Sequence, residues 1–173
     1  MAVRRTQRHF VEGRNSLRFW PEIVHPVKVI CYFSVIYLAR FSPSFCFKNF
    51  LYRMIGIKVG RDASIGLMVM LDVFFPGQIE IGDNVVIGYN TTVLGHEFLV
   101  REWRIGRVVI EKDVTIGANC TILPGIIIGE GATVSAMSLV NRDIPPHSFW
   151  GGVPVREICP ASDGVDARAA DLA

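Results

Sequence analysis

Apolar residues in this chain fall on a beat of six. From Ile110 through Ile116, Ile122, Ile128 and Val134 to Val140 the spacing never slips, and two shorter runs, Val59-Ile65-Leu71 and Ile81-Ile87-Val93, keep the same time. A helix repeats at about 3.6 residues and a simple strand at about 2, so neither accounts for the pattern. Glycine follows the beat at 60, 66, 82, 88, 117 and 129, and small or branched residues recur four positions after it at Thr91, Val114, Cys120, Ala132 and Ser138. Each unit therefore reads as a short strand plus a corner, with glycine permitting the bend. Three units close one triangular coil. Residues eighteen apart then stack at about 4.8 Å, which sets Ile110 under Ile128, Ile116 under Val134 and Ile122 under Val140.

The beat stops once at length. Between Val93 and Ile110 the chain reads "LGHEFLVREWRIGRVV", with a histidine at the point of interruption. A rigid repeat that breaks at an imidazole points to a scaffold holding a reactive group.

At 173 residues, half of them apolar, the chain has material for one core and a small appendage. The expected divisions are a flexible basic arm at 1–16, a helical cap at 17–56, the repeat domain at 57–158 with an extruded loop at about 96–107, and a disordered tail at 159–173. Residues 1–61 hold eleven Lys and Arg against two Asp and Glu, although the net charge is only +2. That bias reads either as a solvated basic face or as an arm for an anionic partner. The uncharged stretch "VICYFSVIYLA" at 29–39 falls short of the roughly 20 residues that span a bilayer. It reads as a helix paired with a second, "PSFCFKNFLYRMI", for which Ser42 would be the N-cap, Pro43 the first residue and Gly56 the end. The two helices would either cap an open end of the scaffold or rest on an anionic membrane.

The four cysteines show neither disulfide-framework nor metal-ligand spacing. Cys120 lies on an inward beat and reads as a small hydrophobe. With no leader legible, a cytoplasmic location is expected. Phosphate-loop and nucleic-acid modules are absent from the sequence, so no nucleic-acid partner is expected.

The segments "IEIGDNVVIGYNTTVLGHEF" and "VTIGANCTILPGIIIGEGATVSAMSLVNRDIPPHSFWGGVPVREI" resemble the bacterial hexapeptide-repeat acyltransferase family, of the maltose and galactoside O-acetyltransferase type. The resemblance covers about residues 57–158. It implies an all-β solenoid, a left-handed parallel β-helix with an N-terminal helical cap, assembled as a homotrimer with active sites between subunits. It also implies acetyl-CoA as co-substrate, no metal, and direct transfer to a hydroxyl or amine of a small acceptor. His96 matches the catalytic histidine, a general base suited to work near neutral pH. Ala118 matches the backbone amide that meets the oxyanion. Ala136 matches a pantetheine contact, Asn141 and Arg142 a pair near the nucleotide, and Arg156 a further basic contact.

On the acceptor side the chain departs from the sugar acetyltransferases. "LMVMLDVFFPGQIE" is strongly apolar, leaving Asp72 and Asn90 as acceptor-binding candidates. Glu97 would orient the imidazole, bind the acceptor, or remain a solvated loop charge, and Trp103 would anchor the loop. Other readings stay open: a non-catalytic β-helix scaffold, a lipid-associated structural protein, and a zinc hydratase on the same scaffold. The last needs three histidine ligands at an interface, and the repeat region offers only His96.

Overall fold

In the computed structural model, which describes residues 4–159, the repeat forms three parallel sheets that the chain visits in strict rotation. Strands are numbered in chain order. The first sheet stacks β2 (Lys58–Val59), β5 (Ile79–Ile81), β10 (Val108–Ile110) and β13 (Ile127–Ile128). The second stacks β3 (Ser64–Ile65), β6 (Val86–Ile87), β11 (Thr115–Ile116), β14 (Thr133–Val134) and β16 (Phe149–Gly151), with β17 (Arg156–Cys159) antiparallel at its end. The third stacks β4 (Met70–Leu71), β7 (Thr92–Val93), β12 (Thr121–Ile122) and β15 (Leu139–Val140). The registers pair Ile110 with Ile128, Ile116 with Val134 and Ile122 with Val140, as the beat of six requires.

Every residue on the beat is buried, from Val59 at 9% exposure to Ile110 at 0%, and together they fill the central column. Cys120 is packed among them, and burial raises its thiol pKa above the ordinary value, as befits a core residue. Ile116→Ala should cost about 2–5 kcal/mol, since stacked rungs cannot close around the missing methyls. Val86→Ala, at a position 44% exposed on the same sheet, should stay within about 0.5 kcal/mol. Chemical denaturation of both variants measures the contrast.

The corners work differently from the expectation. The glycines after the beat keep ordinary backbone angles, and it is closeness that excludes a side chain: a Cβ on Gly88 would stand 2.6 Å from the Ala118 nitrogen, and one on Gly117 2.4 Å from that of Ala136. The left-handed turn falls two residues later, at Asp62, Asn84, Asn90, Asp113 and Asn119, where φ lies between 55° and 61°. Asn and Asp tolerate that region because their short polar side chains bond locally.

The helices lie over the first coil. A short 3-10 turn (Ser16–Phe19) and α1 (Trp20–Ile23) lead to α2 (Pro26–Phe41) and α3 (Phe45–Met54). Ser42 ends α2 rather than starting α3, whose N-cap is Ser44, accepting from the Phe47 amide. Pro43 thus precedes the cap. Gly56, at φ +92°, closes α3 as expected. The first coil has no rung above it, so its outer carbonyls need donors. Lys48 Nζ donates to Ile65 and Gly66 at 2.9 and 2.8 Å, Asn49 to Ala63 at 2.7 Å, Arg53 to Val59 and Gly60 at 2.9 and 2.8 Å, and Arg40 to Met68 at 3.0 Å. Burial lowers the Lys48 pKa from its usual value. Three of the eleven bases in residues 1–61, Arg40, Lys48 and Arg53, are therefore engaged by the scaffold itself.

The expected loose arm is also ordered in part. Gln7–Phe10 forms β1, antiparallel to β9 (Glu102–Ile105), which pairs in turn with β8 (His96–Phe98). The extruded loop is thus a hairpin extended into a three-stranded sheet by the arm. Residues 1–3, and 160–173 of the expected disordered tail, lie outside the described residues.

Candidate active site

His96 stands three residues past Val93, where the next coil places the left-handed Gly125, so the hairpin leaves the coil in place of a corner. Its neck is closed by the Gly106 amide donating to the Gly95 carbonyl at 2.9 Å. The imidazole Nδ1 meets Asp72 Oδ2 in a short contact, with the histidine side chain 12% exposed and the carboxylate fully buried. Three amides hold that carboxylate: Phe74 and Phe75 donate to Oδ1 at 2.8 Å each, and Gly95 donates to Oδ2 at 2.7 Å. A carboxylate so fixed accepts the Nδ1 proton and leaves Nε2 as the basic nitrogen.

Aromatic rings wall the imidazole. Phe74 and Phe98 meet it edge-on at 4.9 Å and Phe75 lies at 5.6 Å. Trp103 stacks on His9 of the arm at 4.0 Å and lies parallel to Phe75 at 5.8 Å, so it anchors the hairpin. The apolar run "DVFFP" thus becomes the wall of a histidine box.

Two expectations for acceptor binding need correction. Asp72 has its oxygens engaged by three amides and the imidazole, which makes it a positioning group for His96 and leaves it no room for an acceptor. Glu97 does not orient the ring: its carboxylate takes both Arg4 guanidinium nitrogens at 2.9 Å, tying the arm to the hairpin. Asn90 occupies the corner before β7, donating to Asn119 at 2.9 Å, away from the corner that carries His96. Nothing local in the sequence pairs Asp72 with His96. They are twenty-four residues apart, and only the coil, with one insertion after each of β4 and β7, stacks them.

The remaining candidates divide between two edges of the prism. Ala118 and Ala136 stack beneath Gly88 at the corner between the second and third sheets. The strands β7, β12 and β15 end at the other corner, where His96, Gly125 and the Asn141–Arg142 pair follow in successive coils. Asn141 Oδ1 is buried without a hydrogen-bond partner. Arg142 and Arg156 are exposed and make no ion pair among the described residues. The neighbouring Asp143 is taken by Arg5, with guanidinium contacts of 2.6 to 2.9 Å. No group of three His, Cys, Asp or Glu residues is placed to hold a metal among the described residues.

A three-faced coil of six-residue units, broken by one hairpin with a histidine at its neck, is a hexapeptide-repeat architecture. Residues 107–142 match the profile of the bacterial transferase hexapeptide (six repeats). YvoF of Bacillus subtilis (strain 168), a protein named as an acetyltransferase, is 51% identical over 157 residues, covering 90% of this chain and 91% of that one. The chain belongs to the hexapeptide-repeat acetyltransferase family. Galactoside O-acetyltransferase of Escherichia coli (strain K12) is 34% identical over 116 residues, 62% of this chain and 55% of that enzyme. A solved hexapeptide-repeat acetyltransferase of Vibrio cholerae, complexed with acetyl-CoA, superposes with a TM-score of 0.61 at 25% identity over 76% of this chain and 86% of its own.

Proposed function

We propose that the protein moves an acetyl group from acetyl-CoA to a hydroxyl, or an amine, of a small acceptor by direct attack, with His96 as general base. The observation that carries this is the buried Asp72 carboxylate set against His96 Nδ1 at the neck of the hairpin. The acceptor's proton passes to Nε2 as its oxygen or nitrogen forms a bond to the thioester carbonyl carbon. The negative charge on the carbonyl oxygen is met by the Ala118 amide. Collapse breaks the carbon–sulfur bond, and the departing thiolate takes the proton back from the imidazolium. Acetylated acceptor and free coenzyme A result, with no acyl-enzyme formed.

Acetyl-CoA suits the residues present. It is long and anionic, and the solved Vibrio cholerae relative is a complex with it. Arg142 and Arg156 would take its phosphates, the orphaned Asn141 Oδ1 would accept a hydrogen bond from it, and the Ala118–Ala136 edge would run beside the pantetheine arm. His96 and Ala118 belong to different edges of one prism. This supports a homotrimer in which the His96 edge of one copy faces the Ala118–Ala136 edge of the next, with the left-handed coil of the family. The aromatic wall favours an acceptor with an apolar portion over a bare sugar.

Acetyl transfer to a panel of hydroxyl and amine acceptors, followed by release of free thiol, tests the reading. Arg142→Ala and Arg156→Ala should each weaken acetyl-CoA binding about tenfold, as loss of a charge-assisted contact of about 1.5 kcal/mol implies. Titration calorimetry measures it. Unchanged affinity in both would remove the proposed phosphate site, and acetyl-CoA binding without transfer to any acceptor would favour a scaffold.

A further inference from the structure

We propose that the outer face of α2 and α3 seats the protein on an anionic lipid surface, with Arg14, Arg18 and Lys28 meeting the headgroup phosphates. The amphipathicity of α2 is inverted. Its inner side carries Ile36 and Ala39 into the core and sends Arg40 to the first coil, while Val27, Ile30, Phe33, Tyr37, Leu38 and Phe41 on the outside are 48% to 61% exposed. The adjoining α3 adds Phe45, Phe50 and Met54 at 50% to 62%. Soluble surfaces rarely leave so many large apolar side chains exposed on neighbouring helices.

Polar groups on this face are few. Between Lys28 and Arg40 the helix bears no charge, and the Ser34 hydroxyl donates within the helix to the Ile30 carbonyl at 2.8 Å. The rings of Phe33, Tyr37 and Phe41 touch in succession, at 5.7 and 4.9 Å between centroids, forming one aromatic ridge.

An exposed base on α2 itself and two more in the segment that leads into it argue for lipid over a second copy of the chain. Arg14, Asn15 and Arg18 line one open recess, and Leu17, between the two arginines in sequence, is 50% exposed. Lys28 stands exposed in the first turn of α2. Exposed bases beside an apolar, aromatic face match a bilayer interface, where headgroup phosphate lies directly above acyl chain. No single helix among the described residues is long and apolar enough to cross a membrane. The segments Ser16–Ile23 and Pro26–Phe41 meet at 97°.

Sedimentation of the full chain with phosphatidylcholine vesicles, with and without phosphatidylglycerol, tests the proposal. At low salt the anionic vesicles should carry down at least tenfold more protein, and added salt should release it. Phe33→Glu with Tyr37→Glu, at exposed positions away from the hairpin, should abolish binding without lowering the melting temperature. Arg14→Glu with Arg18→Glu should erase the preference for anionic lipid. Wild-type protein left in the supernatant with both vesicles overturns the proposal. So does a Phe33→Glu, Tyr37→Glu protein that splits into smaller assemblies by light scattering yet still binds vesicles, which would give the face to a second copy.

Discussion

Replacing His96 with alanine is expected to lower the rate of acetyl transfer by about 10²–10⁴ while leaving acetyl-CoA binding nearly unchanged. The loss is confined to the chemical step because the expected nucleotide contacts, Arg142 and Arg156, lie on other coils. Among the described residues the two nearest carboxylates are already committed: Asp72 is buried and engaged by three amides, and Glu97 is held by Arg4. Transfer measured under saturating acetyl-CoA, beside calorimetric binding of the same cofactor, separates the two effects. A variant that keeps wild-type turnover would leave His96 a packing residue inside its aromatic box.

Asp72→Asn is expected to cause a loss of similar order, about 10²–10⁴, by a different route. The amide oxygen can still accept from Phe74 and Phe75, which puts the amide nitrogen where Oδ2 stood. There it opposes the Gly95 N–H and donates to Nδ1, so the imidazole proton moves to Nε2 and the basic nitrogen faces the wrong way. Because Asp72 acts through His96, its substitution should lower kcat with little change in KM for acetyl-CoA, and should alter the acidic limb of the pH–rate profile. A change in thermal stability alone, with kcat and the pH profile intact, would make the carboxylate merely the clasp of the turn.

The coil was largely legible because its signal is redundant. Twelve positions, from Val59 to Val140, carry the same constraint, and a register error would expose all of them, so the beat alone set which residue stacks on which. The corners were legible in kind but misread in cause. The Asn and Asp three residues past the beat, at 62, 84, 90, 113 and 119, mark the left-handed turns as clearly as the glycines mark the close approaches. The arm was not legible. Residues 7–10 lack strand periodicity and are exposed on both faces, and they become a strand because β9 presents an unpaired edge and Arg4 and Arg5 find Glu97 and Asp143.

The site divides along the same line. His96 could be read from the interruption, since a single residue at a break in a strict repeat is a local signal. Its partner could not, because the contact between Asp72 and His96 depends on how two insertions of different length return to one corner. Glu97, adjacent in sequence to His96, looked the nearer partner, but successive residues of a strand point to opposite faces. That alternation sends Glu97 to Arg4 and leaves His96 to Asp72.

The most direct test is a crystal structure of the assembled protein with acetyl-CoA bound. The thioester carbonyl should lie in a cleft between two copies, with His96 Nε2 of one copy within about 3–3.5 Å of where an attacking oxygen would stand and the Ala118 amide of the other facing the carbonyl oxygen. A thioester bound away from His96, or a His96 ring sealed from the cofactor by Phe74, Phe75 and Phe98, would contradict it.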